Sequence, residues 1–144
     1  MTDKSVELNS SITLINDKLH FNAIVENNEP ISIDYTPPQG DNLGYTSLEL
    51  LLLSLSSCVG SAVLTFLRKM KKTITGCEII ASGIRRTEHP IGFKKIILTI
   101  SLKSSDTSVE DLKKVLLLAE DKYCPVWAML KGNVEIEINH KITA

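Results

Sequence analysis

Leu50–Leu67 runs eighteen residues without a charge and ends against Arg68-Lys69-Met70-Lys71-Lys72. A stretch of that kind is either a membrane span with a basic flank or the central helix of a soluble fold. Four serines, a threonine and a glycine dilute its hydrophobicity, and the remaining chain has the patterning of an amphipathic soluble protein. The soluble reading is therefore preferred, and no membrane is expected as a partner. Ser54, Ser57, Cys58, Ser61, Ala62 and Thr65 recur at three- and four-residue steps, which on a helix is a single stripe. Leu52, Leu53, Leu55, Val59, Val63, Phe66 and Leu67 fall largely on the other sides. The pattern predicts a buried central helix whose narrow face lets another backbone or a second copy approach closely. Cys58 sits in the middle of that face.

At 144 residues the chain reads as one domain, residues 1–144, able to bury roughly two-thirds of its unfolded surface. A net charge of −1 exerts no general pull on nucleic acid or anionic lipid, and no basic stripe is interleaved with aromatics. Nucleic acid is accordingly not expected as a partner. The N-terminal run MTDKSVELNS lacks the basic head and apolar core of a secretory signal. Cys58, Cys77 and Cys124 are too unevenly spaced for a disulfide framework, and they do not pair with histidines as zinc ligands would. These features point to a reducing cytoplasm, with no metal and no cofactor.

Along the chain, Val6, Leu8, Ile12 and Leu14 alternate, as do Leu19, Phe21, Ala23 and Val25, and then Ile31 and Ile33. Turn signals at Asn16-Asp17 and Asn27-Asn28-Glu29-Pro30 separate them, so three antiparallel strands are expected. Tyr35–Tyr45, with Pro37-Pro38 and two glycines, is expected to be an ordered loop. Thr46 or Ser47 caps the long helix, with Glu49 in its first turn. Thr73–Arg86 reads as a strand, Glu88-His89-Pro90-Ile91-Gly92 as a turn, and Ile96, Leu98, Ile100 and Leu102 as the buried face of another strand. Thr107-Ser108-Val109-Glu110 predicts a capping box that opens a helix through about Lys122, with Val109, Leu112, Val115, Leu116 and Ala119 inward. Val126–Leu130 follows as a short helix N-capped by Cys124 and ended by Gly132. A last strand carries Val134, Ile136 and Ile138 inward.

Cysteines are often small core residues, and each of the three has that bland reading. Cys124 has the stronger local signal, because free amides at a helix start favour a thiolate, the nucleophilic form. Cys58, inside a helix, needs a neighbouring cation or donors supplied by the fold. Cys77, after Gly76 in a strand, reads as structural. His20, His89 and His140 share no spacing and read as surface or turn residues. Glu49 suits the helix dipole, and Arg85-Arg86 a solvated strand end.

Three blocks carry a resemblance. They are Ser47-Leu48-Glu49-Leu50-Leu51-Leu52 with Ser57-Cys58, then Gly83 through Phe93 (GIRRTEHPIGF), then Glu120-Asp121-Lys122-Tyr123-Cys124-Pro125-Val126. Their order and spacing resemble the OsmC/Ohr family of osmotically inducible and organic hydroperoxide resistance proteins, closest to its broad OsmC-like branch, over nearly the whole chain. The resemblance implies an α+β fold, a single OsmC-like domain with antiparallel sheets around a long buried helix, and an intertwined homodimer with two sites at its interface. It also implies a cysteine-based peroxidase of oxidative-stress defence. Cys58, matching the peroxidatic cysteine, would attack the O–O bond of an organic hydroperoxide, and Cys124, the match to the resolving cysteine, would close a disulfide that a dithiol reductant reopens. Family peroxidases also use an arginine from the N-terminal strands, held by a glutamate ten residues before the first cysteine. This chain has no arginine before Arg68, only Lys18 and His20 as alternative cations, and its Glu49 stands nine before Cys58. A second expectation is a non-catalytic dimer that binds a hydrophobic small molecule or senses redox state.

Overall fold

Alternation fixes most of the strands. The computed structural model describes residues 3–144, so Met1 and Thr2 of the N-terminal stretch read above lie outside it. The chain forms two compact units, Met1–Leu50 and Leu51–Ala144.

The N-terminal unit is a three-stranded antiparallel sheet, β1 (Ser11–Leu14), β2 (Phe21–Ile24) and β3 (Ile31–Ile33), in that order. Cross-strand partners share a face. Ile12 opposes Ala23 and Ala23 opposes Ile31, while Leu14 opposes Phe21 and Phe21 opposes Ile33. One face is thus wholly apolar. β1 is shorter than the alternation suggests. Asp3 captures the backbone and hydroxyl of Ser5 with its carboxylate, its carbonyl accepts from the amides of Val6 and Glu7, and a turn replaces the strand there. Val6 and Leu8 are consequently exposed.

The ordered loop after β3 is organised by Asp34, which is buried. One carboxylate oxygen accepts from the amide of Tyr35 (2.7 Å), the other from those of Asp41 (3.2 Å) and Leu43 (3.0 Å). Burial raises the Asp34 pKa, but these amide bonds and the nearby His20 more than offset it, and the group sits below its ordinary value.

The second unit carries the core. The helix α1 (Ser47–Lys69) begins in the first unit and continues through the second. Strands β4 (Gly76–Arg85), β5 (Phe93–Lys103) and β6 (Glu135–Thr143) form a sheet in which β4 and β5 are antiparallel and β5 and β6 parallel. Between β5 and β6 come α2 (Val109–Leu118), a π-helical turn (Ala119–Tyr123) and α3 (Pro125–Leu130). Ile96, Leu98 and Ile100 of β5, Leu55, Val59, Val63 and Leu67 of α1, and Leu112 and Val115 of α2 are fully buried. Gly60 brings α1 down on β4, since a Cβ there would lie 2.9 Å from Cδ1 of Ile79.

Three expectations are corrected. The sheets are not antiparallel throughout, because β6 returns after the α2–α3 crossover and pairs parallel with β5. α1 is long and apolar enough to cross a membrane by length and composition, but it is not buried on all sides. Ser54, Ser57, Ser61 and Thr65 of the small-residue stripe are exposed in the single chain. The cap of α2 is Ser108 with Asp111, one residue beyond the expected Thr107 and Glu110, because the Thr107 hydroxyl is engaged with that of Ser104 at 2.7 Å. Val109 then falls on the open side and is exposed rather than inward.

Candidate functional site

Cys58 is positioned by the middle of α1. Thr46 and Glu49 begin that helix with a reciprocal cap, the Thr46 amide donating to Oε1 of Glu49 (2.9 Å) and the Glu49 amide to Oγ1 of Thr46 (3.3 Å). That amide bond holds the Glu49 carboxyl below its usual range. Its carboxylate is engaged in the cap. At the other end, Lys71 adopts a left-handed conformation (φ 62°), and the Lys72 amide returns to the carbonyl of Leu67 at 3.0 Å. Cys58 is half-buried.

Cys124 is positioned by a change of helical pitch. After α2 the chain widens into the π turn, and the Cys124 amide reaches back five residues to the Ala119 carbonyl (2.9 Å). Pro125 then opens α3, and Cys124 becomes its N-cap, with Sγ accepting from the Trp127 amide at 3.4 Å. The expected cap is therefore present. Its expected consequence is not: the Cys124 thiol is pushed up to about 11. Burial is the largest cause, the side-chain contact with Cys58 adds to it, and the amides of Trp127 and Val126 only partly offset both. At 1% exposure the sulfur is out of solvent.

Two thiols 66 residues apart in sequence are thus near enough for Cys58 to raise the Cys124 pKa. Cys58 also lines a cavity of about 460 Å³. Ser61, Ala62, Thr65 and Phe66 of α1 supply one wall, and Tyr123 and Pro125, flanking the second thiol, supply the other. The rings of Phe66 and Tyr123 are 4.7 Å apart at a 55° tilt. The cation of this cavity is Lys69, whose Nζ sits 5.3 Å from the Phe66 ring centroid. Lys69 is about 16 Å further along the helix axis than Cys58. None of these three side chains was singled out by sequence reasoning. Only the π turn places Tyr123 against α1, and no local pattern in the sequence announces such a turn.

The other candidates lie elsewhere. Cys77 is exposed in β4, opposite Leu102, with its pKa raised by partial burial. In the N-terminal unit, Lys18 pairs with Asp41 at 2.7 Å, and Nε2 of His20 lies 3.1 Å from Oγ of Ser32. Among the described residues no group of three His, Cys, Asp or Glu side chains is arranged to hold a metal.

A family model for OsmC-like proteins matches residues 40–139. The chain belongs to the OsmC-like family. Protein YhfA of Escherichia coli K12 is 27% identical over 97 residues, which is 67% of this chain and 72% of that protein. The OsmC-like protein of Mycoplasma pneumoniae superposes with a TM-score of 0.82 at 21% identity, covering 96% of this chain and 98% of that one. The organic hydroperoxide resistance protein OhrB of Bacillus subtilis gives 0.65 at 19% identity, covering 92% and 98%. The α+β architecture of this OsmC-like chain, two small sheets and three helices, is the fold of these structures.

Proposed function

We propose that this OsmC-like protein is a cysteine-based peroxidase that reduces organic hydroperoxides as part of oxidative-stress defence. Membership of a family whose structural relatives include organic hydroperoxide resistance proteins points to a redox or peroxide-stress role. The observation that carries the finer reading is the contact between Cys58 and Cys124 beside a mostly apolar cavity.

The two environments divide the labour. Cys124 is buried and held protonated at neutral pH. Cys58 borders the cavity and is the sulfur a substrate can reach. In the first step the Cys58 thiolate attacks the outer oxygen of ROOH, the O–O bond breaks, and ROH leaves after taking up a proton. Cys58 becomes a sulfenic acid, oxidised by two electrons. The Cys124 sulfur then attacks the Cys58 sulfur, an S–S bond forms, and the hydroxyl departs with the Cys124 proton as water. A dithiol reductant restores both thiols by exchange and is itself left as a disulfide. No metal or cofactor enters the cycle.

The working unit is a homodimer in a reducing cytoplasm. Ile12, Leu14 and Ile31, on the apolar face of the first sheet, are 57%, 50% and 46% exposed in the single chain, and the small-residue stripe of α1 is also open. Open apolar faces of this kind call for a covering partner. A second copy laid along the stripe would roof the cavity without filling it, because the residues there are small.

The test is stoichiometric. The reduced protein should consume one equivalent of cumene hydroperoxide while losing two thiols per chain. Cys58→Ser should abolish consumption, and Cys124→Ser should leave a sulfenic acid that dimedone traps. In Cys58→Ser, alkylation of Cys124 by iodoacetamide should stay slow at neutral pH, since burial, the largest cause of its raised pKa, remains when the Cys58 contact is removed. Peroxide left untouched by the wild-type protein would sink the reading.

A further inference from the structure

The Cys58 cavity is not uniformly apolar. Besides Cys58 it is lined by Ala62, Thr65, the Phe66–Tyr123 ring pair and Lys69. Lys69 is exposed, and among the described residues no salt bridge engages it, whereas Lys72 three residues on is paired with Asp111 at 3.2 Å. The Lys69 Nζ lies 5.3 Å from the Phe66 ring centroid, on a ring that lines the cavity. One cavity thus holds both the Cys58 sulfur and a cation without a salt-bridge partner among the described residues.

Resting on the peroxidase reading above, we propose that Lys69 is a specificity-determining residue that selects hydroperoxides bearing an anionic head group. Phe66 is about 12 Å along the helix axis from Cys58, the Lys69 ammonium lies beside its ring, and an alkyl chain of medium length spans that interval. The peroxide end meets Cys58, the methylenes lie against Ala62, Phe66 and Tyr123, and the carboxylate meets the ammonium. Chain burial supplies most of the affinity, since every methylene removed from water adds to it. The ion pair discriminates. A cation at a partly exposed site is worth at most about a fivefold preference for the charged over the neutral ligand, and that preference weakens with salt.

Two measurements test this, and they fail separately. The first needs no turnover: decanoate and decanol are titrated into the reduced protein, with tyrosine fluorescence or chemical-shift changes at Tyr123 as the readout. Decanoate should bind more tightly than decanol by up to about fivefold, Lys69→Gln should erase that difference, and Lys69→Arg should keep it. Equal affinities in the wild type would overturn the proposal whatever the protein's activity. The second compares a carboxylate-bearing alkyl hydroperoxide with its methyl ester. Lys69→Gln should lower the ratio of their kcat/KM values through KM rather than kcat, and Lys69→Glu should lower it further. A ratio that ignores the charge at residue 69 would overturn the proposal while leaving the peroxidase reading intact. If neither substrate turns over but decanoate retains its Lys69-dependent advantage, the anion selectivity stands and the peroxidase reading falls.

Discussion

The two sheets of this molecule obey the same alternation rule and end in opposite conditions. In β4–β5–β6, the inward set from β5 (Ile96, Leu98, Ile100) has no exposed surface at all. In β1–β2–β3, the corresponding apolar set (Ile12, Leu14, Phe21, Ala23, Ile31, Ile33) contains no fully buried member. The buried side chain of the N-terminal unit is instead a carboxylate, Asp34, satisfied by three backbone amides. One sheet is therefore held by hydrocarbon packing. The other is held by ladder hydrogen bonds and a polar loop, and its apolar face is open in the single chain. Hydrophobic pattern identifies a face that must be covered; it does not say by what.

The largest effect is expected in the packed sheet. Leu98→Ala removes a side chain with 0% exposure from the centre of β5 and should lower unfolding free energy by about 2–5 kcal/mol in denaturant titration. A cost below 1 kcal/mol would mean that this core is loosely packed and that the contrast between the sheets is false. A smaller but clear effect belongs to the loop that organises the first sheet. A Cβ at Gly40 would lie 2.2 Å from the Tyr35 carbonyl oxygen and 2.4 Å from Oδ1 of Asp34. Neither obstacle is the flexible end of a long side chain. Gly40→Ala should cost about 1–3 kcal/mol and should disturb amide shifts in residues 34–45 while sparing β5. An unchanged midpoint would show that the Asp34 loop contributes little to holding the first unit together.

Much of this was legible in the sequence, and the limits have physical causes. The period-2 run from Ile96 to Leu102 identified β5 because every second residue meets the core. The Pro125 signal identified α3 and its Cys124 cap for a similarly local reason. Local competition misled at two places: Asp3 draws Val6 out of the β1 alternation, and Ser104 draws Thr107 away from the α2 cap. The site was half legible. Family resemblance named both cysteines, but their meeting depends on a separation of 66 residues that no local pattern encodes. The pH behaviour of Cys124 was misjudged because two amides at a helix start are visible in sequence and burial is not. Phe66 and Lys69 read as parts of the apolar sides and basic end of α1, and the π turn that sets Tyr123 beside them has no sequence signature.

The smallest effect sharpens the comparison most. Ile12 is 57% exposed in the single chain, so truncating it to Ala removes little buried surface from that chain, and the intrinsic cost should stay within about 0.5 kcal/mol. If a second copy covers this face, Ile12→Ala weakens association, and linkage makes its apparent cost depend on protein concentration. Unfolding midpoints for wild type and Ile12→Ala should therefore nearly coincide at the lowest usable concentration and separate as concentration rises. Leu98→Ala should show the same deficit throughout. A gap for Ile12→Ala that is large and independent of concentration would place the cover for this face inside the chain itself, and the first sheet would then have a core of its own after all.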